Sequence, residues 1–352
     1  MKKAILAIGI VILFICMSFN SISGIQIQNI TIIKSGRGNT LYVGGNGTGN
    51  YSKIQDAIDN ASDGDTVFVY DDSSPYYEWD ILINKPINLI GENSNTTTID
   101  SDFKGGVIDI ASDNVKISGF SIIDGYKGIS VYFNTGDNVI ISDNHFINCS
   151  WGIEFHTKDN CYVLSNSFRG FEDTAIFADN CVDCTISDNI IIRTESGDPI
   201  TVYADIHCEG FGENYVVTNN TLICDIMGYD TTGLLVGNAD NNIIEGNKFS
   251  GYDLDAIRLY SVKNNIITHN NFNNSGGILI EDMSHSNKII NNNFIKNKYD
   301  AIERLLCFNN LWDGNYWDKW IGFKYKLPIF QRFPHIILFA IDKHPAKEPY
   351  DI

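Results

Sequence analysis

One six-residue pattern occurs eight times between residues 141 and 317: an apolar residue, two variable residues, asparagine, one variable residue and a second apolar residue. The asparagines are Asn144, Asn166, Asn189, Asn220, Asn247, Asn270, Asn292 and Asn315. Their spacing is 22 or 23 residues, except for two steps of 31 and 27 residues. A fixed period of this length is typical of stacked supersecondary units, each of which buries its apolar face against its neighbours.

A second segment recurs at the same period. It begins with a small residue or proline and continues with alternating apolar residues, as in Gly128-Ile129-x-Val131 and Gly152-Ile153-x-Phe155. The other copies begin at Pro199, Gly233, Ala256 and Gly277. This alternation indicates short strands with one buried face. The repeat therefore predicts an all-β parallel solenoid of about eleven coils, in which each strand pairs with its equivalent about 4.8 Å away.

The recurrent asparagines have a structural interpretation. In a solenoid, equivalent positions stack on one another, so Ile, Val and Phe residues fill the interior and the asparagines form a ladder at one turn. Their amides can bond to the amide or backbone of the next coil. We therefore expect the ladder to stabilise the fold and not to carry catalysis.

The N-terminus has the pattern of a secretory signal. Lys2 and Lys3 precede an apolar run from residue 4 to 17, which predicts a signal peptide over 1–24 and a polar leader over 25–40. A retained membrane anchor is the alternative, and it is the one route by which we expect the chain to meet a membrane. The predicted location is secreted or on the cell surface.

The chain is strongly acidic, with a formal net charge of −18. Such a surface repels nucleic acid and anionic lipid, so neither is an expected partner. A polyanionic substrate is also disfavoured unless a cation bridges the two.

Seven cysteines follow position 16, and their spacing matches no disulfide framework. Cys161 and Cys184 stand at equivalent positions of successive repeats. A stack of buried thiols is the preferred interpretation, and a disulfide or a metal site remains open.

The two ends of the repeat region predict caps. Apolar residues from Tyr51 to Ala61 have helical spacing, with Ser52 as a candidate N-cap. This helix would cover the open end of the first coil. At the other end, residues 318–352 form a predicted capping segment, and its aromatic residues, together with the last coil, supply Trp317, Trp320, Tyr325, Phe330 and Phe333.

Residues 41–352 resemble known proteins. The segments Leu41-Tyr42-Val43, Gly64-Asp65-Thr66-Val67 and Ile87-x-Leu89-Ile90-Gly91-Glu92 look like the cap and first coils of right-handed parallel β-helix proteins of the pectate-lyase-like superfamily. The later repeats resemble the NosD-type group and its secreted archaeal relatives. The resemblance implies a right-handed parallel β-helix over 41–317. It leaves activity open, because this superfamily includes enzymes, binding proteins and inert scaffolds.

A candidate ligand site lies where the longer repeats fall. Residues 204–212 and 223–232 are predicted insertions on opposite sides of one sheet, and they would form the walls of a groove. The floor would hold Glu154, His156, Asp179 and Tyr203, and one wall Asp205, His207 and Glu209. Carboxylates, imidazoles and a phenol suit a sugar, although a merely solvated face is the alternative. Glu154 and Asp179 are also the candidate holders of a calcium ion.

Catalysis is the second hypothesis for this face. A polyuronate lyase or epimerase needs a base and a cation beside the substrate carboxylate. Arg258 lies four coils from Glu154, and the sequence predicts no Lys or Arg nearer on this face. We therefore expect binding or display of an extracellular polysaccharide or cell-surface glycan without turnover. A polysaccharide lyase, hydrolase or epimerase is the first alternative, and a NosD-like accessory factor for a metalloenzyme is the second.

Overall fold

Three parallel β-sheets form the faces of a solenoid in which each coil contributes one strand to each sheet. The computed structural model describes residues 38–131, 135–194, 203–226, 231–304, 306–318, 342 and 344–352. Within them the chain makes about eleven coils and one short helix, so the predicted fold is confirmed. The predicted signal and all but the last residues of the leader fall outside this range.

The first sheet has twelve strands. They are Thr40–Val43, Thr66–Val69, Asn88–Gly91, Lys116–Ser118, Ile140–Ser142, Tyr162–Leu164, Thr185–Ser187, Val216–Thr218, Ile243–Glu245, Ile266–Thr268, Lys288–Ile290 and Leu311–Asp313. The second sheet has eleven strands. They are Tyr76–Tyr77, Thr98–Asp100, Ser121–Ile123, His145–Ile147, Ser167–Arg169, Ile190–Arg193, Thr221–Cys224, Lys248–Ser250, Asn271–Asn273, Asn293–Ile295 and Tyr316–Trp317.

The third sheet has ten strands and carries the candidate site. They are Ile81–Ile83, Ile108–Ile110, Lys127–Val131, Trp151–His156, Thr174–Asp179, Tyr203–Glu209, Thr231–Gly237, Asp255–Tyr260, Ile278–Glu281 and Ala301–Glu303. Each strand pairs in parallel with its equivalents on the neighbouring coils, for example Ile153 with Ile129 and Ile176. Side chains at equivalent positions therefore form rows across the sheet.

Stacked aromatic rings fill one side of the interior. Phe249, Phe272 and Phe294 stack in succession, and Trp317 continues the stack at 4.3 Å between ring centroids. The glycines of the repeat make room for such rings, because a Cβ atom at Gly152 would lie 2.7 Å from the ring of Phe168. Gly128 and Gly233 lie against Phe146 and Phe249 in the same way, which explains the glycine at these three positions of the repeat.

The asparagine ladder is buried and continuous, as predicted. Asn166 donates its backbone N–H to Asn189 Oδ1 at 2.9 Å and its amide to the carbonyl of Ile141 at 2.9 Å, and the other members repeat this pattern. The residue before each ladder asparagine has a positive φ, which turns the chain; these residues are Asp143, Ser165, Asp188, Asn219, Gly246, His269, Asn291 and Gly314. A second ladder, which the repeat analysis missed, joins Asn242, Asn265, Asn287 and Asn310.

Helix α1, Ile54–Asn60, covers the first coil with the buried side chains of Ile54, Ala57 and Ile58. The predicted N-cap is wrong, since the N-cap residue is Lys53 and its side chain makes no capping bond. Glu78 from the following coil does this instead, accepting the N–H groups of Ile54 at 2.7 Å and Gln55 at 3.1 Å. A helix of this length cannot span a membrane, and within the described residues no other helix can either.

At the far end, Asp342 terminates the asparagine ladder. Its carboxylate accepts the backbone N–H of Asn315 at 2.9 Å and the indole N–H of Trp317 at 3.0 Å. Tyr350 exchanges backbone-to-amide bonds with Asn293. Of the predicted capping aromatics, Trp317 belongs to the last strand, and the other four lie outside the described residues.

The seven cysteines after position 16 are all free thiols, and six of them are buried. Cys161 and Cys184 lie on adjacent coils, and the backbone N–H of Cys161 donates to Cys184 Sγ at 3.4 Å. This arrangement matches the stack of buried thiols expected from the sequence.

Candidate functional site

Two rows of outward side chains cross the middle of the third sheet. The first row contains Ser130, Glu154, Phe177, His207, Leu235 and Arg258. The second row pairs His156 with Asp179 and Asp179 with Glu209, and Tyr260 lies two coils beyond Glu209. Titratable and aromatic residues thus meet on one face, because parallel pairing in register stacks equivalent positions.

Glu154 lies between two nitrogen groups. Lys127 Nζ lies 2.5 Å from one carboxylate oxygen and His156 Nε2 lies 2.9 Å from the other. Burial raises the pKa of Glu154, but the hydrogen bonds and charges of Lys127 and His156 outweigh it, so the pKa lies below its usual value. His156 also approaches Asp179 at 3.5 Å. Glu154 is therefore an ionised, paired carboxylate at neutral pH.

Phe177 places an aromatic ring at the centre of the site. Its ring contacts His156 at 5.4 Å and His207 at 5.1 Å between centroids. Trp151 packs against it edge to face at 5.5 Å. Trp151 and Phe177 are both half-buried, so part of each ring faces solvent.

A second imidazole–carboxylate pair lies two coils beyond Glu154 and His156. His207 Nε2 is 2.7 Å from Glu209, and the hydroxyl of Tyr260 donates to the other oxygen of Glu209. Burial lowers the pKa of His207 despite the nearby charge of Glu209. We therefore take His207 as neutral near pH 7, with one ring nitrogen bonded to Glu209.

The third-sheet strand predicted to begin at Pro199 is wrong. Ile176 pairs with Ile206, and Asp179 pairs with Glu209, so the third-sheet strand is Tyr203–Glu209 and not the segment from Pro199. The 31-residue step hid this, because two apolar alternations lie within it. Tyr203 pairs with Thr231 at the start of the strand, and is not on the floor beside Asp179.

Asp205 is a structural residue and not a wall of the site. Its side chain is fully buried and accepts a 2.6 Å bond from Arg193 Nε. The hydroxyl of Tyr252 bonds to its other oxygen. Arg193 also donates to the carbonyls of Glu172 and Asp173, so the cluster fixes the corner where the second sheet meets the third.

The two longer repeat steps fall between strands of the same two sheets. One joins Ile190–Arg193 to Tyr203–Glu209, and the other joins Thr221–Cys224 to Thr231–Gly237. Both therefore connect the second sheet to the third. The predicted walls are wrong, because residues 204–209 belong to the third-sheet strand itself and residues 223–224 belong to a second-sheet strand.

Lys127 is the site residue that the sequence analysis missed. It stands directly before Gly128 of the repeat and pairs with Trp151, one coil from Glu154. The expectation that no Lys lies within a coil or two of Glu154 is wrong. The position before the repeat glycine, compared across coils, is the signal that would have found it.

Metal binding has little support among the described residues. They contain no group of three or more His, Cys, Asp or Glu side chains arranged to hold an ion. Both oxygens of Glu154 already contact Lys127 and His156, and Asp179 Oδ1 accepts the amide of Asn180 at 2.7 Å. A calcium ion at Glu154 and Asp179 would have to displace these partners.

Comparison with known families identifies one match. The model described as "Periplasmic copper-binding protein (NosD)" matches residues 58–220 and 206–322, which together cover most of the chain. Among curated proteins, no sequence matches significantly.

Several solved structures have a similar fold and low sequence identity to this chain. An alginate lyase from Paenibacillus sp. str. FPU-7 is 14% identical with a TM-score of 0.54, over 77% of this chain and 97% of that one. The A-module of the mannuronan C-5 epimerase AlgE4 from Azotobacter vinelandii is 14% identical with a TM-score of 0.53, over 75% and 82%. A GH136 lacto-N-biosidase from Eubacterium ramulus is 12% identical with a TM-score of 0.53, over 79% and 64%. At such identities the likeness concerns the fold alone.

Proposed function

The chain belongs to the NosD family of periplasmic parallel β-helix proteins, and we propose that it binds an extracellular polysaccharide on the third sheet without turnover. The observation that carries the proposal is the half-buried ring pair of Trp151 and Phe177, set among the polar groups of Glu154, Asp179 and His207. Aromatic rings pack against the C–H faces of sugars, and carboxylates and imidazoles bond to sugar hydroxyls. The carbohydrate-active neighbours in fold support the same class of ligand.

Charge favours a sugar without carboxylates. Lys127 is paired with Glu154, and the remaining carboxylates of the site, Asp179 and Glu209, would repel a uronate. A neutral sugar instead donates its hydroxyls to them. A polyuronate would need a bridging cation, and a calcium ion between Glu154 and Asp179 could serve only by displacing Lys127 and His156 from Glu154.

The test is binding of residues 25–352 to an array of neutral, amino and uronate oligosaccharides, with and without calcium. Phe177→Ala should abolish retention, because it removes the ring at the centre of the site. Tyr162→Ala is the matched control, since Tyr162 is a partly exposed aromatic residue on the first sheet. Equal retention by both variants would contradict the proposed site.

One observation favours a polysaccharide lyase, hydrolase or epimerase as the second candidate. Lys127, Glu154 and His156 place a cation, a carboxylate and an imidazole in contact, which are the groups that elimination or acid–base catalysis uses. Incubation with alginate and pectate, followed by ultraviolet detection of unsaturated ends, tests the elimination reaction. Product formed by the wild type and lost in Glu154→Gln would establish the enzyme in place of binding alone.

The family description also suggests an accessory role with copper, and the described residues do not fit that metal. Copper is bound by clustered His, Cys or Met side chains. His156 and His207 are separated by the ring of Phe177, and Met283 is an exposed side chain. We derive no copper chemistry for this chain.

A further inference from the structure

Exposed aromatic residues occupy one corner of four consecutive coils. Trp79, Phe103, Tyr126 and the half-buried Trp151 lie near the beginning of successive third-sheet strands, from five residues before the strand at Phe103 to its first residue at Trp151, and together we call them the aromatic strip. Trp79, Phe103 and Tyr126 are 43%, 69% and 61% exposed. Backbone bonds show that they lie on neighbouring coils at the same corner. The N–H of Trp151 donates to the carbonyl of Tyr126 at 3.1 Å, that of Phe103 to Asp124 at 2.8 Å, and that of Asp80, which follows Trp79, to Gly106 at 2.7 Å.

Folding alone does not account for these rings, because they are exposed at positions where a polar side chain would leave the stability of the fold unchanged. Phe103 has a φ of 55°, a left-handed conformation in which a bulky residue is unfavourable and Asn or Gly is preferred. Its N–H donates to the carbonyl of Asp124 at 2.8 Å, which holds the turn. An exposed ring kept at such a position points to a contact outside the chain.

The strip is also held in place. Lys104 Nζ lies 4.8 Å from the centroid of the Trp79 ring and 3.0 Å from Asp102. A cation over an indole ring limits the motion of both side chains. This leaves the rest of Trp79 available to a ligand at a small entropy cost.

The strip is continuous with the proposed binding site, since Trp151 contacts Phe177 edge to face at 5.5 Å. From Trp79 to Phe177 there are four coil steps, or about 19 Å at about 4.8 Å per step. We propose that the aromatic strip extends the site, so that the ligand is a linear, uncharged polysaccharide lying parallel to the solenoid axis. This inference rests on the proposed function and adds the shape and minimum length of its ligand.

The chemistry between the rings favours a sugar chain over a protein partner. Asp80 and Asp102 are exposed and stand next to Trp79 and Phe103 in the sequence, and the half-buried Asp124 stands two residues before Tyr126. Rings with carboxylates beside them suit a repeating sugar, whose C–H faces and hydroxyls recur along the chain. A protein interface would instead bring a continuous apolar centre with charges at its rim.

The experiment compares disaccharides with octasaccharides of four neutral polymers: β-1,4-glucan, β-1,4-mannan, β-1,4-xylan and β-1,3-glucan. Dissociation constants are measured for the wild type, Trp79→Ala/Tyr126→Ala, Phe177→Ala and the control Tyr162→Ala. For the polymer that is bound, we expect the octasaccharide to bind at least tenfold more tightly than the disaccharide. The double variant should lose this advantage and keep the disaccharide affinity.

Each alternative result has a separate meaning. If the disaccharide binds and Phe177→Ala removes it, but length or the double variant has no effect, the strip proposal is overturned and the proposed function stands. If the wild type binds none of the eight oligosaccharides, both fail. If sedimentation shows self-association that Trp79→Ala/Tyr126→Ala abolishes, the strip is a contact between copies of the chain and the inference is overturned.

Discussion

Replacement of Asn247 by leucine tests whether the asparagine ladder stabilises the fold. Asn247 Oδ1 accepts two hydrogen bonds from Asn220, one from the backbone N–H at 3.0 Å and one from the side-chain amide at 2.9 Å. Its own amide donates to the carbonyl of Val217 at 2.8 Å and to Asn270 Oδ1 at 3.0 Å. Leucine has a similar branched shape but leaves the buried backbone N–H of Asn220 without its acceptor. It also removes one bond each from the amide of Asn220, the carbonyl of Val217 and Asn270 Oδ1. Since an unsatisfied buried group costs about 1–3 kcal/mol, we expect a loss of about 2–4 kcal/mol in unfolding free energy.

The control must be an exposed asparagine with ordinary backbone angles. Asn238 is exposed but has a φ of 51°, so leucine there would add backbone strain of its own. Asn273 is exposed within a strand and is the better match. Thermal melting followed by circular dichroism should show a melting temperature several degrees lower for Asn247→Leu and nearly unchanged for Asn273→Leu. Equal melting temperatures would refute the structural role of the ladder.

Three further outcomes are expected. Arg193→Met should lower the free energy of unfolding, measured by chemical denaturation, by about 3–5 kcal/mol, because it leaves the buried carboxylate of Asp205 without its cation. The double variant Arg193→Met/Asp205→Leu should recover part of this loss. No recovery would contradict the argument. Burial raises the pKa of Asp255 to about 6. Its contribution to the free energy of unfolding is therefore complete below the unfolded pKa, which is near 3.9, and is lost as the pH rises through about 6. Asp255→Asn should remove this pH dependence, which amounts to about 2–3 kcal/mol. Truncation after Asp318 removes Asp342 and should cause aggregation through the unpaired strands of the last coil, which light scattering would detect. A truncated protein that stays a stable monomer would argue against a capping role for the C-terminal segment.

The repeat predicted the fold because packing constrains every coil in the same way. A ladder asparagine, a left-handed residue before it and a small residue beneath a stacked ring are each required once per coil, so they recur in the sequence. The N-cap shows the limit of this reasoning. Glu78 caps helix α1 from the next coil, and no local pattern near Ser52 could reveal a partner more than twenty residues away.

The site was predictable only in part, because outward positions are free of the packing that creates the repeat. Glu154, His156 and Asp179 were placed together correctly, since their coils have the regular length. The longer step before Asn220 allowed two registers. The sequence analysis put Tyr203 on the floor and His207 and Glu209 on a wall, whereas the structure pairs His207 with Phe177 and Glu209 with Asp179. Ile200 and Ile206 are six residues apart, an even number, so both registers direct the same alternate positions outward and the alternation alone could not decide between them.

The cations on the third sheet are already paired with carboxylates, and this favours sugar binding over an elimination reaction on that face. Lys127 contacts Glu154, and Arg258 and Arg304 both contact the buried carboxylate of Glu281. A lyase on this face would have to take Lys127 from Glu154 to neutralise a substrate carboxylate, and the released Glu154 would then repel the same substrate. A neutral sugar needs no such exchange, because its hydroxyls bond to carboxylates that stay ionised. The ion pairs that hold this face together therefore favour an uncharged ligand, and the exposed rings on the coils beside it provide the surface on which such a ligand can rest.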